Sequence, residues 1–257
     1  MTLWRPTAKR GADLADGAVV PVGVEADGLK IRLRVNARAS RVSLRLDTAR
    51  GEVVATAPSP RRLPDALRFA ESRAAWIAAR LQALPEPKTL MPGLILDVDG
   101  APARLERAAM RIKGRLIPSE NGEPARLLAY GQDDAYARAA LRVLKAVALE
   151  RVSERTARYA AVLTQPVPEI TVMDARMRWG SCSKAHGVEP ARIRYNWRLI
   201  LAPAWVLDYV AAHEAAHLIE ANHSPAYWAV VNRIFGDHRP ARAWLQAHGA
   251  ALHAVGG

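Results

Sequence analysis

Apolar and polar residues alternate along the early part of the chain. Between residues 29 and 35, and again between residues 42 and 46, every second residue is apolar and most residues between them are basic. A third apolar run, residues 52–57, follows Gly51. Because successive side chains of a strand point to opposite faces, these runs predict three strands, the first two forming an antiparallel hairpin with one buried face.

The spacing of apolar residues then changes from two to the helical period. Pro64 and Asp65 are typical of a first helical turn, and the pattern after them predicts one helix that runs to about residue 84. The Pro-rich segment 85–93 predicts a linker. Beyond it we expect short strands near residues 95–98, 103–105, 115–117 and 127–129.

The second half of the chain is mainly helical in pattern. Residues 133–163 predict a long helix, which Pro166 and Pro168 end. Strands are predicted at residues 169–173 and 191–197. Three helices with a proline in or beside the first turn follow, near residues 203–221, 225–235 and 239–253.

These elements predict an α+β protein. The 257 residues, half of them apolar, are enough for one large core or two modest ones. We divide the chain into a flexible N-terminus, residues 1–28, a β-rich region with one helix, residues 29–129, and a C-terminal domain, residues 130–257.

The candidate chemistry lies in the last third of the chain. His213 and His217 are four residues apart in an apolar stretch without Gly or Pro, so a helix would place both imidazoles on one face. Two such histidines can bind one tetrahedral metal ion. Glu214 lies roughly 100° around the helix, where it can act as general base on metal-activated water without being a ligand.

His223 is the predicted third ligand, because it follows His217 at the offset found in a larger group of zinc proteases. That group has Gly at the position of Glu220, so the turn must differ here. We expect the helix to break after Glu220 with Asn222 as a left-handed residue, and Ser224 to begin the next helix. The alternative is a set of unrelated core or surface histidines.

Asp208 is a candidate partner for the second ring nitrogen of a ligand histidine, which would fix its tautomer. It could equally be an acidic residue placed early in a helix for the helix dipole. Glu220 is a second candidate for the same role, with a solvent-facing position as the alternative.

Several short motifs surround these residues: 178–182 (RWGSC), 194–199 (RYNWRL), 208–210 (DYV), 213–217 (HEAAH), 222–224 (NHS), 227–228 (YW) and 244–245 (WL). In these motifs the chain resembles a known family, the YgjP-like metallopeptidase domain, which is related to the SprT and WLM zinc peptidases. The resemblance implies a minimal zincin-like catalytic domain with one Zn²⁺ per chain and His223 as a ligand. Two positions depart from the usual pattern, Ala215 in place of Leu and Tyr227 in place of Phe.

Several residues around these motifs are candidates for substrate contact. Arginines can bind carboxylate or phosphate groups, and a glycine allows close approach of the backbone. The candidates are Arg178, Gly180, Ser181, Arg194, Asn196, Arg198 and Tyr227. For stabilising an oxyanion we consider Tyr227, His238 and Arg242.

Composition narrows the setting. Cys182 is the sole cysteine, which excludes an internal disulfide and a multi-cysteine zinc site and favours a structural role for its thiol. The chain shows no signal-peptide pattern and no apolar run that could span a membrane, so we expect a soluble, cytoplasmic protein that does not insert into membranes. The oligomeric state is open.

The net charge of +12 is partly concentrated in the predicted strands of residues 28–45, which hold six basic residues and no acidic one. Such a strip suits phosphate backbones, and nucleic acid is a candidate partner. A solvated sheet face is the alternative.

The sequence therefore favours a zinc metallopeptidase that acts on peptides or proteins. A metal-dependent phosphohydrolase acting on nucleotides is the second hypothesis, since activated water can also attack phosphorus. A nucleic-acid-associated protein with a structural zinc is the third. Three protein ligands plus a free glutamate count against it, because structural zinc sites usually fill all four positions.

Overall fold

A computed structural model of the chain describes residues 14–22, 29–47, 52–120, 122–175 and 178–256. The chain divides into two compact units, Met1–Leu84 and Pro85–Gly257. The division falls at the start of the Pro-rich segment that the sequence predicts as a linker. Residue 130, the boundary that the sequence predicts, lies inside the second unit.

Four strands form the sheet of the first unit. They are β1 (Val19–Val22), β2 (Leu29–Val35), β3 (Ser43–Asp47) and β4 (Glu52–Ala57). Their order is β1-β2-β4-β3, with β2 parallel to β4 and the outer pairs antiparallel. The predicted hairpin of β2 with β3 is wrong, because β4 lies between them. β4 has more buried residues than any one of the other strands. Its inner position gives these residues neighbouring strands on both sides.

The flexible start predicted for residues 1–28 falls partly outside the described residues, which omit 1–13 and 23–28. Within the described part, β1 pairs along its length with β2. Regular structure therefore begins before Leu29, where the sequence had placed its start. The apolar β1 residues Val20 and Val22 lie on the core side of the sheet and supply the reason for the pairing.

Two helices pack against this sheet, α1 (Leu63–Ser72) and α2 (Ala74–Gln82). The sequence predicts one helix here, but the backbone leaves the helical region at Arg73, where φ is −114°. Ala70 and Ile77 are buried in one cluster with the β2 residues Ile31 and Leu33. Burying an Ile or Leu side chain stabilises a fold by roughly 1.5–3 kcal/mol.

The second unit begins with another four-stranded sheet. Its strands are β5 (Ile95–Val98), β6 (Ala101–Arg107), β7 (Arg115–Ile117) and β8 (Ala125–Ala129). Their order is β5-β6-β8-β7. This sheet packs on the long helix that follows it, which explains why it groups with the C-terminal elements and not with the first sheet.

The long helix α3 (Asp133–Val162) spans the second unit. A small sheet follows, formed by β9 (Glu169–Met173), β10 (Gly180–Ser183) and β11 (Arg192–Asn196) in the order β10-β11-β9. A 3-10 turn, Trp197–Leu201, continues from β11. Leu144 and Val152 of α3 share one core with Leu105, Leu127 and Trp197.

Three helices complete the described chain, α4 (Ala204–Ala216), α5 (Pro225–Ile234) and α6 (Arg239–His253). The mixture of helices and sheets confirms the predicted α+β class. Within the described residues, no helix combines the length and apolarity that crossing a bilayer requires.

Candidate metal centre

His213 lies in the last turn of α4 and His217 is the C-cap residue of that helix, with ring centroids separated by 5.3 Å. His223 comes from the segment between α4 and α5 and meets them from the side. One ligand atom from each of the three rings lies within 4.8 Å of the other two. The structure therefore brings together the three imidazoles that the sequence predicts.

These rings fit the requirements of a divalent zinc ion. Burial, with smaller effects from His217 and His223, lowers the pKa of His213 to about 3. Burial also lowers the pKa of His217. Both rings are therefore neutral near pH 7 and retain a lone pair, as ligands must. His223 Nε2 lies 3.2 Å from His213 Nε2, so ligand nitrogens of the two rings face each other, as around a shared cation.

The second ring nitrogen of His213 and that of His217 each have a partner on the protein. His217 Nδ1 lies 2.9 Å from the carbonyl oxygen of Glu220, which can only accept, so Nδ1 carries the proton. Tyr209 Oη lies 3.3 Å from His213 Nδ1. The carbonyl contact fixes the tautomer of His217 and leaves its Nε2 free for the metal, whereas the Tyr209 hydroxyl, which can donate or accept, orients the His213 ring.

Asp208 does not have the predicted contact with a ligand histidine. It faces α3, where it accepts a hydrogen bond of 2.8 Å from Tyr159 Oη and forms an ion pair with Arg158. Tyr209 contacts His213 instead, because residues four apart share a helix face and residues five apart do not. The spacing of Tyr209 from His213 was the signal that the sequence interpretation missed.

The turn after α4 is built differently from the prediction. The helix ends at Ala216, and hydrogen bonds from the 217, 218 and 219 amides to residues three back tighten the chain into successive turns. Among the described non-glycine residues with positive φ, Asn222 is not found, so it is not the left-handed stop. Lys184 Nζ donates to the carbonyl of Ile219 at 2.7 Å and fastens the turn. Ser224 caps α5 through the amide of Tyr227, as the sequence predicts.

Tyr227 forms the floor beneath the three imidazoles. It is fully buried, its ring stacks on His217 at 4.5 Å, and it meets His213 and His223 edge-on. Its hydroxyl donates to the backbone carbonyl of His213 at 3.0 Å. The hydroxyl is therefore occupied by a hydrogen bond within the protein, and the Tyr227 ring packs against all three imidazoles.

Glu214 lies beside the histidines with its carboxylate buried. The residue is 4 % exposed, and this burial raises the pKa of Glu214 to about 8. It is not part of the group of side chains that could share a metal ion. Among the described residues, no basic side chain forms an ion pair with it.

Gly180 of β10 lies directly against this carboxylate. A Cβ atom at residue 180 would be 2.2 Å from Glu214 Oε1 and 2.5 Å from Cδ, well inside van der Waals contact. Only glycine lets the strand approach so closely. The predicted close approach at Gly180 is therefore to Glu214 itself.

A cleft of about 410 Å³ opens in front of His213 and Glu214. Residues of β10, α4 and α6 form its walls, and Arg242 of α6 is the basic residue among them. The Arg242 guanidinium lies over the Trp228 ring at 5.2 Å. The His238 ring stacks on the same Trp228 ring at 4.3 Å and on the Tyr209 ring at 6.3 Å.

Residues 41–248, more than half of the chain, match the family model described as YgjP-like, metallopeptidase domain. The chain belongs to this family. No curated protein and no solved structure gave a match. Membership of the YgjP-like family supports a metal-dependent hydrolase of the peptidase type, and the matched region contains all three histidines and Glu214.

Two of the residues that the sequence predicts for substrate contact are used inside the protein. Asn196 is fully buried, and its amide donates to the carbonyls of Ala175 at 2.6 Å and Arg178 at 3.3 Å. Arg198 is 5 % exposed, donates to the carbonyl of Val255 at 2.9 Å and pairs with Asp174. Both residues hold segments of the domain together by hydrogen bonds, and neither residue lines the cleft.

The remaining candidates are separated by the faces of the small sheet. Gly180 pairs with Tyr195 on the face toward α4 and α3, whereas Ser181 pairs with Arg194 on the opposite face. Arg194 and Arg178 are exposed and do not line the cleft. The Ser181 hydroxyl is buried without a hydrogen-bond partner.

Cys182 lies on the same side of β10 as Gly180. Burial, assisted by the nearby charge of Glu214, raises the pKa of the Cys182 thiol to about 11. A thiol that stays protonated near pH 7 is a poor nucleophile. This favours the structural role expected from the sequence.

Proposed function

We propose that the chain is a zinc-dependent peptidase in which His213, His217 and His223 hold the metal and Glu214 is the general base. The observation that carries the proposal is the position of Glu214. Its carboxylate is buried beside the three imidazoles, lies outside the ligand group and has no cationic partner among the described residues.

Each residue has a defined task in this scheme. The three imidazoles would hold zinc, which would supply a Lewis acid for the scissile carbonyl and for the attacking water. Glu214 takes the proton of the attacking water on a carboxylate oxygen and passes it to the leaving amine. Burial favours this task, because a carboxylate removed from water binds a proton more strongly. Gly180 and α4 fix the position of that oxygen.

An extended peptide fits the surroundings of the site. β10 is an edge strand, paired with β11 on one side, and it begins at Gly180 next to Glu214. An edge strand offers free backbone donors and acceptors to a substrate in extended conformation. Arg242, across the cleft, can orient a carboxylate group of that peptide. The strand edge next to Glu214 therefore supports a peptide substrate over a nucleotide.

The test is turnover of a substrate panel by the zinc-loaded protein. Casein, a mixed peptide library and nucleoside triphosphates are incubated with the wild type and with Glu214→Gln, and products are identified by mass spectrometry. The proposal predicts new peptide termini that the variant does not produce. Hydrolysis of nucleotides alone would replace the peptidase with a phosphohydrolase, and equal cleavage by both proteins would remove Glu214 from its role.

A further inference from the structure

The sheet of the first unit carries basic side chains on the face that its helices leave open. Along β2, Ile31 and Leu33 are fully buried against α1 and α2. Lys30 and Arg34 alternate with them and are exposed. Since side chains alternate between the faces of a strand, the basic residues of β2 share the outer face.

The strand register adds a basic residue of β3 to the same face. Arg32 of β2 and Arg45 of β3 both pair with Val54 of β4, one from each side. Directly paired residues project to the same face of a sheet. Arg32, Val54 and Arg45 therefore form one row across the outer face, although the strands that carry the arginines are not neighbours.

The turn between β2 and β3 extends this surface. Arg38 and Arg41 lie in the turn and are exposed. The turn begins directly after Val35, the last residue of β2, so it adjoins the end of the strand that carries Arg34. The following residues are named the cationic face: Lys30, Arg32, Arg34, Arg38, Arg41 and Arg45.

Most of this charge is not neutralised by the described part of the protein. Arg32 forms two hydrogen bonds of 3.1 Å with the Glu52 carboxylate. In residues 14–22, 29–47, 52–120, 122–175 and 178–256, no acidic group lies within ion-pair distance of the other five members. Like charges on neighbouring positions of a sheet face destabilise it, so an external polyanion would relieve this repulsion.

We propose that the cationic face binds the sugar-phosphate backbone of double-stranded nucleic acid without sequence preference. Basic residues at every second position of a strand are roughly 6.6 Å apart, which lays out a row of charges for successive phosphates. Arginine, the commonest residue of the face, binds phosphate through two parallel hydrogen bonds. The net charge of +12 adds long-range attraction.

The absence of aromatic residues decides between duplex and single strands. None of the sequences of β1, β2, β3 and β4 contains Phe, Tyr or Trp. Proteins that bind single strands generally stack bases on aromatic side chains. A face with charge alone suits the regular phosphates of a duplex.

The proposal is tested by fluorescence anisotropy with the full-length protein. The probe is a labelled mixed-sequence DNA duplex, with duplex RNA and single-stranded DNA as further arms and anionic phospholipid vesicles as an alternative polyanion. One variant carries Lys30→Gln, Arg34→Gln and Arg45→Gln. Its control carries Arg61→Gln, Arg73→Gln and Arg80→Gln, which remove the same charge from exposed positions on the helical side of this unit.

The first variant is expected to bind duplex roughly tenfold more weakly at low salt, and the slope of log K against log salt should fall by about 3. The control should bind within about twofold of the wild type. Equal weakening in both variants, no duplex binding by the wild type, tighter binding to single strands, or binding to vesicles alone would each overturn the proposal. Thermal melts of both variants, and single substitutions of Arg34 and Arg45, separate loss of binding from loss of folding.

Discussion

The two carboxylates of α4, Glu214 and Asp208, lie in opposite environments. Glu214 faces the cleft, is buried, and has no ion-pair partner among the described residues. Asp208 faces α3 and is held by the Tyr159 hydroxyl and by Arg158. Arg155 adds a longer ion pair of 3.9 Å to the same carboxylate.

The contrast shows how packing assigns roles to acids of one helix. Six residues at 100° each place Asp208 and Glu214 on different sides of α4. An acid bound to cations anchors the helix, whereas an acid kept dry and unpaired binds a proton more strongly. The predictions below test this division, beginning with the largest effect.

Glu214→Gln should lower kcat/KM by at least about 10³-fold while leaving metal binding intact. The amide keeps the shape of the side chain but cannot accept the proton. Steady-state cleavage of the best peptide from the panel measures the first effect, and metal analysis measures the second. A variant that kept a tenth of the activity would show that another group is the base.

Gly180→Ala should lower kcat by about 10²-fold, because the new methyl group would occupy the space of the Glu214 carboxylate. Either the strand or the acid must move, because the three atoms nearest to the new methyl group all belong to Glu214 and none belongs to a metal ligand. Ser183→Ala, an exposed position on the same strand, is the matched control and should behave as wild type. Full activity in Gly180→Ala would mean that the close approach has no role in positioning the base.

Tyr209→Phe should weaken metal affinity by about tenfold, because His213 loses the partner of Nδ1. Competition with a chromophoric chelator measures the affinity. Tyr136→Phe is the control, since its buried hydroxyl has no hydrogen-bond partner and its removal should leave the metal site unchanged. Similar affinities for both variants would show that the Tyr209 contact does not hold the ligand.

Asp208→Asn should lower the free energy of unfolding by about 1 kcal/mol and leave kcat and metal content within about twofold of wild type. The effect is small because Arg158 is well exposed, with 58 % of its side chain accessible. Chemical denaturation and the peptide assay measure the two quantities. A tenfold loss of activity without loss of stability would return Asp208 to the catalytic site.

Much of the second unit was predictable because its signals are local. The bounds of α3, α5, α6 and β7 lie within about one or two residues of the sequence prediction, since helical spacing, prolines and caps mark them directly. The pair His213 and His217 was predictable for the same reason. A spacing of four residues on a helix fixes their relation without knowledge of the rest of the fold.

What the sequence could not give depends on pairings across space. The insertion of β4 between β2 and β3 is a non-local choice, which buries four of the six β4 residues. Asn196 belongs to the family motif, but its amide donates to the carbonyl of Ala175. A local sequence pattern does not predict this contact, because the two residues are far apart in the chain. Periodicity identifies which residues share a face, but not what that face meets.

The most direct test of the account is the metal content of the purified protein. After removal of adventitious metal and addition of Zn²⁺, elemental analysis should find one equivalent in the wild type and in Glu214→Gln, and almost none in a variant with His213→Ala and His217→Ala. A wild-type protein that takes up no metal, or a double histidine variant that keeps its equivalent, would contradict the account.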